Sequence, residues 1–182
     1  MKASPTSSSK WPIARLGDAM EITSGITLGR NLDGRQWRLV PYLRVANVKD
    51  GHLDLAEVKV TPATEEEIRA CRLEPGGILL TAGGDPNKLG RGTFWIGELQ
   101  ERIHQNHIFR VRSDPATFDP AFLAFQFGSA YGKAYFLHHA KQTTGIASIN
   151  KTVRSNFPLL VPPRPEPRRI AALWRDAFAG KY

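Results

Sequence analysis

The chain has 182 residues, 41% of them hydrophobic, which suits one globular domain with its own core and argues against a disordered protein. No apolar run approaches the roughly 18 residues that span a bilayer, and the single cysteine, Cys71, excludes an internal disulfide and a cysteine-based zinc site, so we expect a cytoplasmic protein. Lys and Arg outnumber Asp and Glu by 25 to 17, a net charge of +8 that favours a polyanionic partner such as nucleic acid.

The N-terminal part predicts a polar leader followed by short strands. Residues 1–10 are small, polar and serine-rich, so we expect a disordered lead-in without the apolar segment of a signal peptide. The alternating stretch 40–48, a turn at Asp50-Gly51 and the apolar positions of 52–60 predict a β-hairpin.

The middle of the chain predicts a helix, a buried strand and a loop. Residues 61–73 have the composition of a short helix that Thr61 or Thr64 can cap, and Thr64 with Glu67 makes a capping box. The apolar segment 78–82 predicts a buried strand, and it leads into a glycine-rich loop at 83–92.

The remaining elements alternate between strands and helices. Two strand candidates lie within 93–112, and Asp119-Pro120 begins a long helix over roughly 120–139. A polar loop at 140–150 and a short strand at 157–162 follow.

Together these elements predict an α+β fold. We expect a single domain at 11–163, built on a twisted mixed β-sheet flanked by helices, and a short C-terminal helix within 164–182, the start of a spacer or dimerisation helix. This helix begins after Pro167 and has an apolar stripe that either folds back onto the core or pairs with a second copy or a partner's helix. The stripe consists of Ile170, Leu173, Trp174, Ala177 and Phe178.

No segment has the pattern of a catalytic or metal site. The glycine-rich loop matches neither phosphate-binding glycine motif, and a strand, not a helix, is expected after it. The carboxylates are scattered, no hydroxyl has an identifiable base beside it, and no His, Cys or carboxylate cluster completes a ligand set. We therefore expect no catalytic residue, no metal and no cofactor on this chain.

Two polar loops, at 83–92 and 141–150, carry side chains that can bond both phosphates and base edges. The alternatives are a mobile strand connection for the first loop and a cluster of caps and turns for the second. Gln105 and Asn106 are weaker candidates, because they could equally bond backbone groups inside the sheet. The predicted DNA-binding set is Asn87, Lys88, Arg91, Gln105, Asn106, Lys141, Gln142, Thr143, Thr144 and Ser148.

Five segments in order carry a family resemblance: YLRVANV, LEPGGILLTAGGDPNKLGRGTFW, IHQNHIFRVR, KQTTGIASIN and FPLLVPPRPEPRRI. Over residues 11 to about 173 the chain resembles a target-recognition domain of a type I restriction-modification specificity subunit. The resemblance implies sequence-specific recognition of double-stranded DNA without catalysis. Such subunits direct DNA methyltransferase and restriction subunits to a two-part target, so S-adenosylmethionine, ATP and Mg²⁺ are expected only on those partner subunits.

The sequence departs from the family pattern at its C-terminal side. Specificity subunits typically have two recognition domains joined by long helices, whereas here one domain precedes a helix of at most about 15 residues, roughly 22 Å long. Pro167 also stands where the family often has Gln. A natural half-subunit, a truncated product and an excised domain all remain open, and a homodimer would supply a second reader.

Two other functions compete with DNA recognition. A non-catalytic assembly protein would dock on a partner through its C-terminal helix, and its basic surface would be incidental. A complete enzyme acting on nucleic acid is the third possibility, against which the missing carboxylate cluster and cofactor motif count.

Overall fold

The computed structural model describes residues 11–114, 117–143, 145–163 and 165–178, without the side chains of 174, 175, 177 and 178. The expected lead-in at 1–10 lies outside this part. In chain order the elements are β1 (Ile13–Arg15), α1 (Leu16–Ala19), β2 (Glu21–Ser24), β3 (Arg38–Leu43), β4 (Lys59–Ala63), α2 (Glu65–Cys71), β5 (Ile78–Thr81), β6 (Gly83–Gly84), β7 (Gly92–Phe94), β8 (Ile103–His104), β9 (Ile108–Arg112), α3 (Pro120–Gly128), α4 (Ala130–His139), β10 (Lys141–Thr143), β11 (Ile146–Ser148), α5 (Lys151–Ser155), β12 (Pro158–Leu160) and α6 (Glu166–Phe178).

The predicted α+β class with a mixed strand arrangement is confirmed, and the strands are divided among four small sheets. The central sheet is antiparallel, in the order β2-β9-β5-β7. A second sheet, β4-β3-β8, contains the parallel pair β3 and β8. β10-β11-β6 forms a third sheet, and β1 pairs with β12.

The largest hydrophobic cluster joins the central sheet to α3 and α4. Leu80 and Val111 of the sheet lie in it with three fully buried phenylalanines, Phe127, Phe136 and Phe157. The ring centroids of Phe127 and Phe157 are 5.2 Å apart in an edge-to-face arrangement, which adds to the gain from apolar burial. This cluster holds both helices on one face of the sheet.

The predicted hairpin at 40–60 forms with shorter arms than expected. β3 pairs with β4, whereas Val45–Asn47 is a 3₁₀ turn and most of 52–58 lies outside the strands. Asn47 explains the difference, because its side-chain amide donates to the carbonyls of Asp54 and Glu57 at 2.8 and 2.9 Å. These bonds offer the backbone an alternative to the strand ladder.

The helix predicted at 61–73 is α2, and its predicted capping box is present. The Glu67 amide donates to the Thr64 hydroxyl at 3.3 Å, and the Thr64 amide donates to the Glu67 carboxylate at 2.9 Å. Residues 61–63 belong to β4 instead. Arg30 binds the Glu67 carboxylate at 2.6 Å and lowers the pKa of Glu67 to about 2.

The long helix predicted at 120–139 is interrupted at Ser129, which separates α3 from α4. The Ser129 side chain accepts a bond from the Gly132 amide at 3.3 Å and so begins the second helix. A Cβ on Gly132 would lie 2.3 Å from the Gln126 carbonyl oxygen, so the start of α4 approaches the backbone of α3 closely at this bend. A bend of this kind leaves no clear signal in an apolar helical pattern.

The C-terminal helix α6 begins at Glu166, just before the predicted start. Ala171 is buried against Ala121 and Phe122 of α3, with Ile170 packed beside it, so this side of the helix folds back onto the domain. Leu173 is 71% exposed. The side chains of Trp174, Ala177 and Phe178 lie outside the described part, and none of the described helices is long and apolar enough to cross a membrane.

Candidate nucleic-acid interface

The two predicted polar loops meet in one hydrogen-bonded sheet. The segment 140–150 is largely a hairpin, β10-β11, and β11 pairs with β6 of the glycine-rich loop. Gly84 lies opposite Ala147 and Gly83 opposite Ser148, and the Ile149 amide donates to the Ala82 carbonyl at 3.0 Å. The two loops therefore form one hydrogen-bonded unit.

Glycine is required where β6 meets the rest of the molecule. A Cβ on Gly83 would lie 2.8 Å from Nδ1 of His107, and Gly84 has a φ of +127°, which side-chain-bearing residues rarely adopt. The two glycines let β6 lie against the turn between β8 and β9. The glycines of this segment thus serve close packing of the backbone, a role different from that of the glycines in the phosphate-binding motifs.

The remainder of the glycine-rich loop is folded back on β5. The Gly90 amide donates to the carbonyl of Thr81 at 3.0 Å, and the Arg91 amide donates to its hydroxyl at 2.9 Å. Pro86–Lys88 forms a 3₁₀ turn at the tip, where Asn87 is exposed. The loop is therefore a shaped connection with its polar residues on the outside.

The turn at 105–107 adjoins β6. The Ile108 amide donates to the Gln105 carbonyl at 2.8 Å and closes the turn, and the Ala82 amide donates to the His107 carbonyl at 2.8 Å. Gln105 makes no side-chain hydrogen bond within the described residues, whereas the Asn106 side chain donates to the Thr27 hydroxyl at 3.4 Å. We call the surface formed by 83–91, 105–107 and 141–148 the loop face.

The hairpin presents its polar side chains on two sides. Residues directly opposite each other on paired strands share a face, and neighbours along a strand alternate. Lys141 is opposite Ser148, and Thr143 is opposite Ile146, so these four side chains share one face; all are exposed. Gln142 is exposed on the other face, and Thr144 lies outside the described residues.

Positive charge without a counter-charge is concentrated beside the hairpin. Residues 120–165 include five Lys and Arg and no Asp or Glu, and of the five Lys133 pairs with Asp50 of an earlier loop at 2.7 Å. Lys141 forms no ion pair within the described residues, and neither does Arg91. By contrast, Arg38 on β3, in the β4-β3-β8 sheet, forms ion pairs with Glu65 and Glu101 at 2.5 and 2.7 Å.

Two cations differ from the sequence-based expectation. Lys88 is paired with Asp85, so part of its charge is already balanced within the loop. Lys151, which the sequence argument did not single out, is exposed beside the hairpin and has no ion-pair partner among the described residues. The acid-free stretch from 120 to 165 is the sequence signal that could have identified Lys151.

His104 holds the 105–107 turn from inside. It is fully buried, and its Nδ1 donates to the Ile108 carbonyl at 2.9 Å across the turn. Because a carbonyl only accepts, Nδ1 carries the proton, and Nε2 is buried without a partner in the described structure. Burial lowers the pKa of His104 from 6.5 to about 4, so the ring is neutral at pH 7.

Mild acid is expected to destabilise the fold through His104. Its pKa in the folded state, about 4, lies below the unfolded value of 6.5, so protonation favours the unfolded chain and stability present above pH 6.5 is lost as the pH falls. Between pH 7.5 and 5 the loss amounts to about 2 kcal/mol. Urea unfolding of wild type and His104→Gln measures it, because the variant lacks the titrating ring. An equal loss in both proteins would contradict this assignment.

No metal centre emerges from the described ranges, in which no three His, Cys, Asp or Glu side chains are grouped so as to hold an ion. The arrangement instead offers hydrogen-bond donors, acceptors and cations on a continuous surface. Such a surface can bind a polar or anionic ligand.

Comparisons with known proteins agree with the fold. No protein-family model matches the chain. It is 24% identical over 168 residues to a putative type I restriction enzyme specificity subunit of Methanocaldococcus jannaschii, covering 91% of this chain and 39% of that protein. The chain therefore spans about two fifths of the length of this relative.

Solved structures show the same coverage. A chain from work on complex assembly and conformational transition of a type I restriction-modification system has a TM-score of 0.64 at 18% identity, covering 96% of this chain and 40% of that one. The HsdS subunit from Thermoanaerobacter tengcongensis has a TM-score of 0.60 at 17% identity, covering 96% and 39%. The resemblance found in the sequence is thereby confirmed: the homologues of this chain are type I restriction enzyme specificity subunits, and the chain has the fold of a target-recognition domain of such a subunit.

Proposed function

We propose that the chain recognises a short sequence of double-stranded DNA as the target-recognition part of a type I restriction enzyme specificity subunit. The observation that carries the proposal is the pairing of β11 with β6, which joins two polar loops into one surface beside uncompensated cations. The specificity-subunit homologues support the same role.

The chemistry of the loop face suits duplex DNA. A two-stranded ribbon such as β10-β11 fits the major groove, which is about 12 Å wide. Lys141 would contact phosphates, and Arg91 would contact a phosphate or a guanine edge. On the hairpin face that carries Lys141, Ile146, which is 56% exposed, offers an apolar contact for a thymine methyl group. Gln142, on the opposite face of the hairpin, would pair with an adenine edge at the side of the ribbon.

The proposed role includes no chemistry on this chain. DNA methyltransferase and restriction subunits would be its protein partners, and S-adenosylmethionine, ATP and Mg²⁺ would bind to them in the cytoplasm. One recognition surface reads one half of a bipartite target, so a second reader is needed. A two-fold homodimer would supply it and would read a palindrome with a fixed spacer.

An assembly role through α6 alone is not favoured. Ala171 is buried and Ile170 is packed against α3, so this side of the helix is already used within the domain. Leu173, which is exposed, remains for a partner subunit. Docking by α6 therefore complements DNA recognition in this proposal.

Salt-dependent duplex binding is the first expected result. If four to six phosphates are engaged, the logarithm of the association constant should fall with the logarithm of salt concentration at a slope of roughly −4 to −5. Fluorescence anisotropy with a labelled random duplex library between low and moderate salt measures the slope. A flat response would sink the DNA-recognition proposal.

A further inference from the structure

We propose that Arg154 forms a phosphate-binding site at the border of the loop face, and that its ligand is a phosphate of the DNA backbone. The identity of the ligand rests on the proposed function. The site itself rests on the surroundings of Arg154, which no sequence signal had singled out.

The Arg154 side chain is held in a fixed position on α5. The residue is only 7% exposed, and its guanidinium carbon lies 3.0 Å from the centre of the Phe109 ring of β9. Its Nε donates to the Asn150 carbonyl at 3.2 Å. Stacking on an aromatic ring together with a backbone bond fixes the plane of the guanidinium before any ligand arrives.

The charge of Arg154 has no counter-charge among the residues that the structure describes. All 17 Asp and Glu belong to the described residues, and none of them forms an ion pair with Arg154. Burial alone lowers the pKa of Arg154 to about 10. The other buried arginine among the described residues, Arg110 of the central sheet, does have a carboxylate, that of Glu21 at 3.4 Å.

A buried cation without a carboxylate is costly, and buried charges are ordinarily paired. The two terminal nitrogens of Arg154 bond to no group in the described structure, yet neither is among its enclosed polar atoms that lack partners. They therefore keep access to solvent. A guanidinium whose two terminal nitrogens are available for hydrogen bonding matches the geometry of a phosphate, which it binds through two parallel hydrogen bonds.

The position of Arg154 connects the site to the loop face. Lys151 precedes it by three residues on α5, the spacing at which helical side chains are neighbours, and is likewise without an ion-pair partner in the described part. α5 follows the hairpin directly, and the Ile149 amide between them bonds to Ala82 beside β6. A DNA strand crossing the loop face would reach this pair of cations at its border.

Two variants and two probes test the site. Arg154→Met keeps the apolar contact with Phe109 and removes the charge, and Arg69→Met, an exposed arginine of α2 without an ion-pair partner in the described residues, is the matched control. The first probe is inorganic phosphate against chloride at equal ionic strength, read as the melting temperature. The second is a duplex selected from a random library, read as the salt dependence of binding.

We expect phosphate to raise the melting temperature of wild type and Arg69→Met by about 3 °C more than that of Arg154→Met, because only the first two would bind it at this site. The response is compared between variants because phosphate also stabilises all proteins non-specifically. Duplex affinity should fall about tenfold in Arg154→Met, with a salt slope shallower by about 0.9. Arg154→Lys serves if the methionine variant does not fold. It should keep the slope and bind several-fold more weakly, since lysine retains the charge but lacks the fork.

Each contrary result overturns a distinct part. An equal phosphate response in wild type and Arg154→Met rejects the phosphate site, and an Arg154→Lys variant with wild-type duplex affinity and phosphate response rejects the bidentate contact. A lost phosphate response with an unchanged duplex slope rejects the DNA backbone as the ligand. If wild type binds no duplex at any salt concentration, the proposed function and the DNA assignment fail, and the phosphate measurement still decides the site.

Discussion

A variant in which Arg91, Lys141 and Lys151 are all replaced by alanine is expected to bind duplex DNA roughly a hundredfold more weakly than wild type at moderate salt. The three cations lie on or beside the loop face, and none has an ion-pair partner within the described residues. Losing two or three phosphate contacts should also make the salt slope shallower by about 2 to 3. The melting temperature should stay close to that of wild type, because exposed charges contribute little to folding.

A second triple variant controls for the change in net charge. Lys59, Arg69 and Arg168 are exposed cations on β4, α2 and α6, away from the loop face. Replacing them by alanine removes the same number of positive charges as the first triple variant. Long-range attraction is screened within about 8 Å at physiological salt, so we expect at most a few-fold loss. Equal losses in the two triple variants would show that the loop face is not the DNA-binding surface.

The elements that could be predicted from the sequence are those with local signals. The capping box of Thr64 and Glu67 marks the start of α2 at Glu65. Asp119-Pro120 marks the start of α3 in the same way, and the Asp119 carboxylate accepts a hydrogen bond from the Ala121 amide at 2.9 Å. The apolar run at β5 predicted a buried strand, and all four of its residues are buried.

The hairpin β10-β11 could not be predicted in the same way. Four of the six residues in its two strands are polar, the two apolar ones are adjacent and so do not alternate with polar positions, and only Ala147 is buried. What stabilises it is pairing with β6, which lies far earlier in the chain and depends on the small size of Gly83. Propensity and periodicity carry no information about a remote partner of this kind.

The candidate site shows the same division. The residue types suited to DNA were visible in the two loops, but their electrostatic state was not. The ion pair of Lys88 with Asp85 could be predicted from the sequence, because the two residues are three apart. The setting of Arg154 was not, because its burial depends on the ring of Phe109 on a strand of the central sheet.

Gly25 shows how a backbone contact positions the loop face without any local sequence signal. At the end of β2, a Cβ on this residue would lie 2.0 Å from the carbonyl oxygen of His104. The next residue, Ile26, donates to that same carbonyl at 2.8 Å and accepts from the Asn106 amide at 2.9 Å. The 105–107 turn is thus attached to the chain after β2 by contacts that only glycine permits.

Gly25→Ala is therefore expected to destabilise the fold by about 3 kcal/mol or more, because the atoms that the new methyl group meets are backbone and cannot change rotamer. In a domain of this size that loss corresponds to a melting temperature lower by roughly 6–12 °C. Gly128→Ala is the matched control, since its nearest contact to a new Cβ is an ordinary 3.6 Å, and we expect it to change stability by less than about 1 kcal/mol. Calorimetry of both variants measures the difference. A Gly25→Ala variant as stable as Gly128→Ala would mean that β2 and the 105–107 turn do not approach as closely in solution, and the attachment of the turn would have to be sought elsewhere.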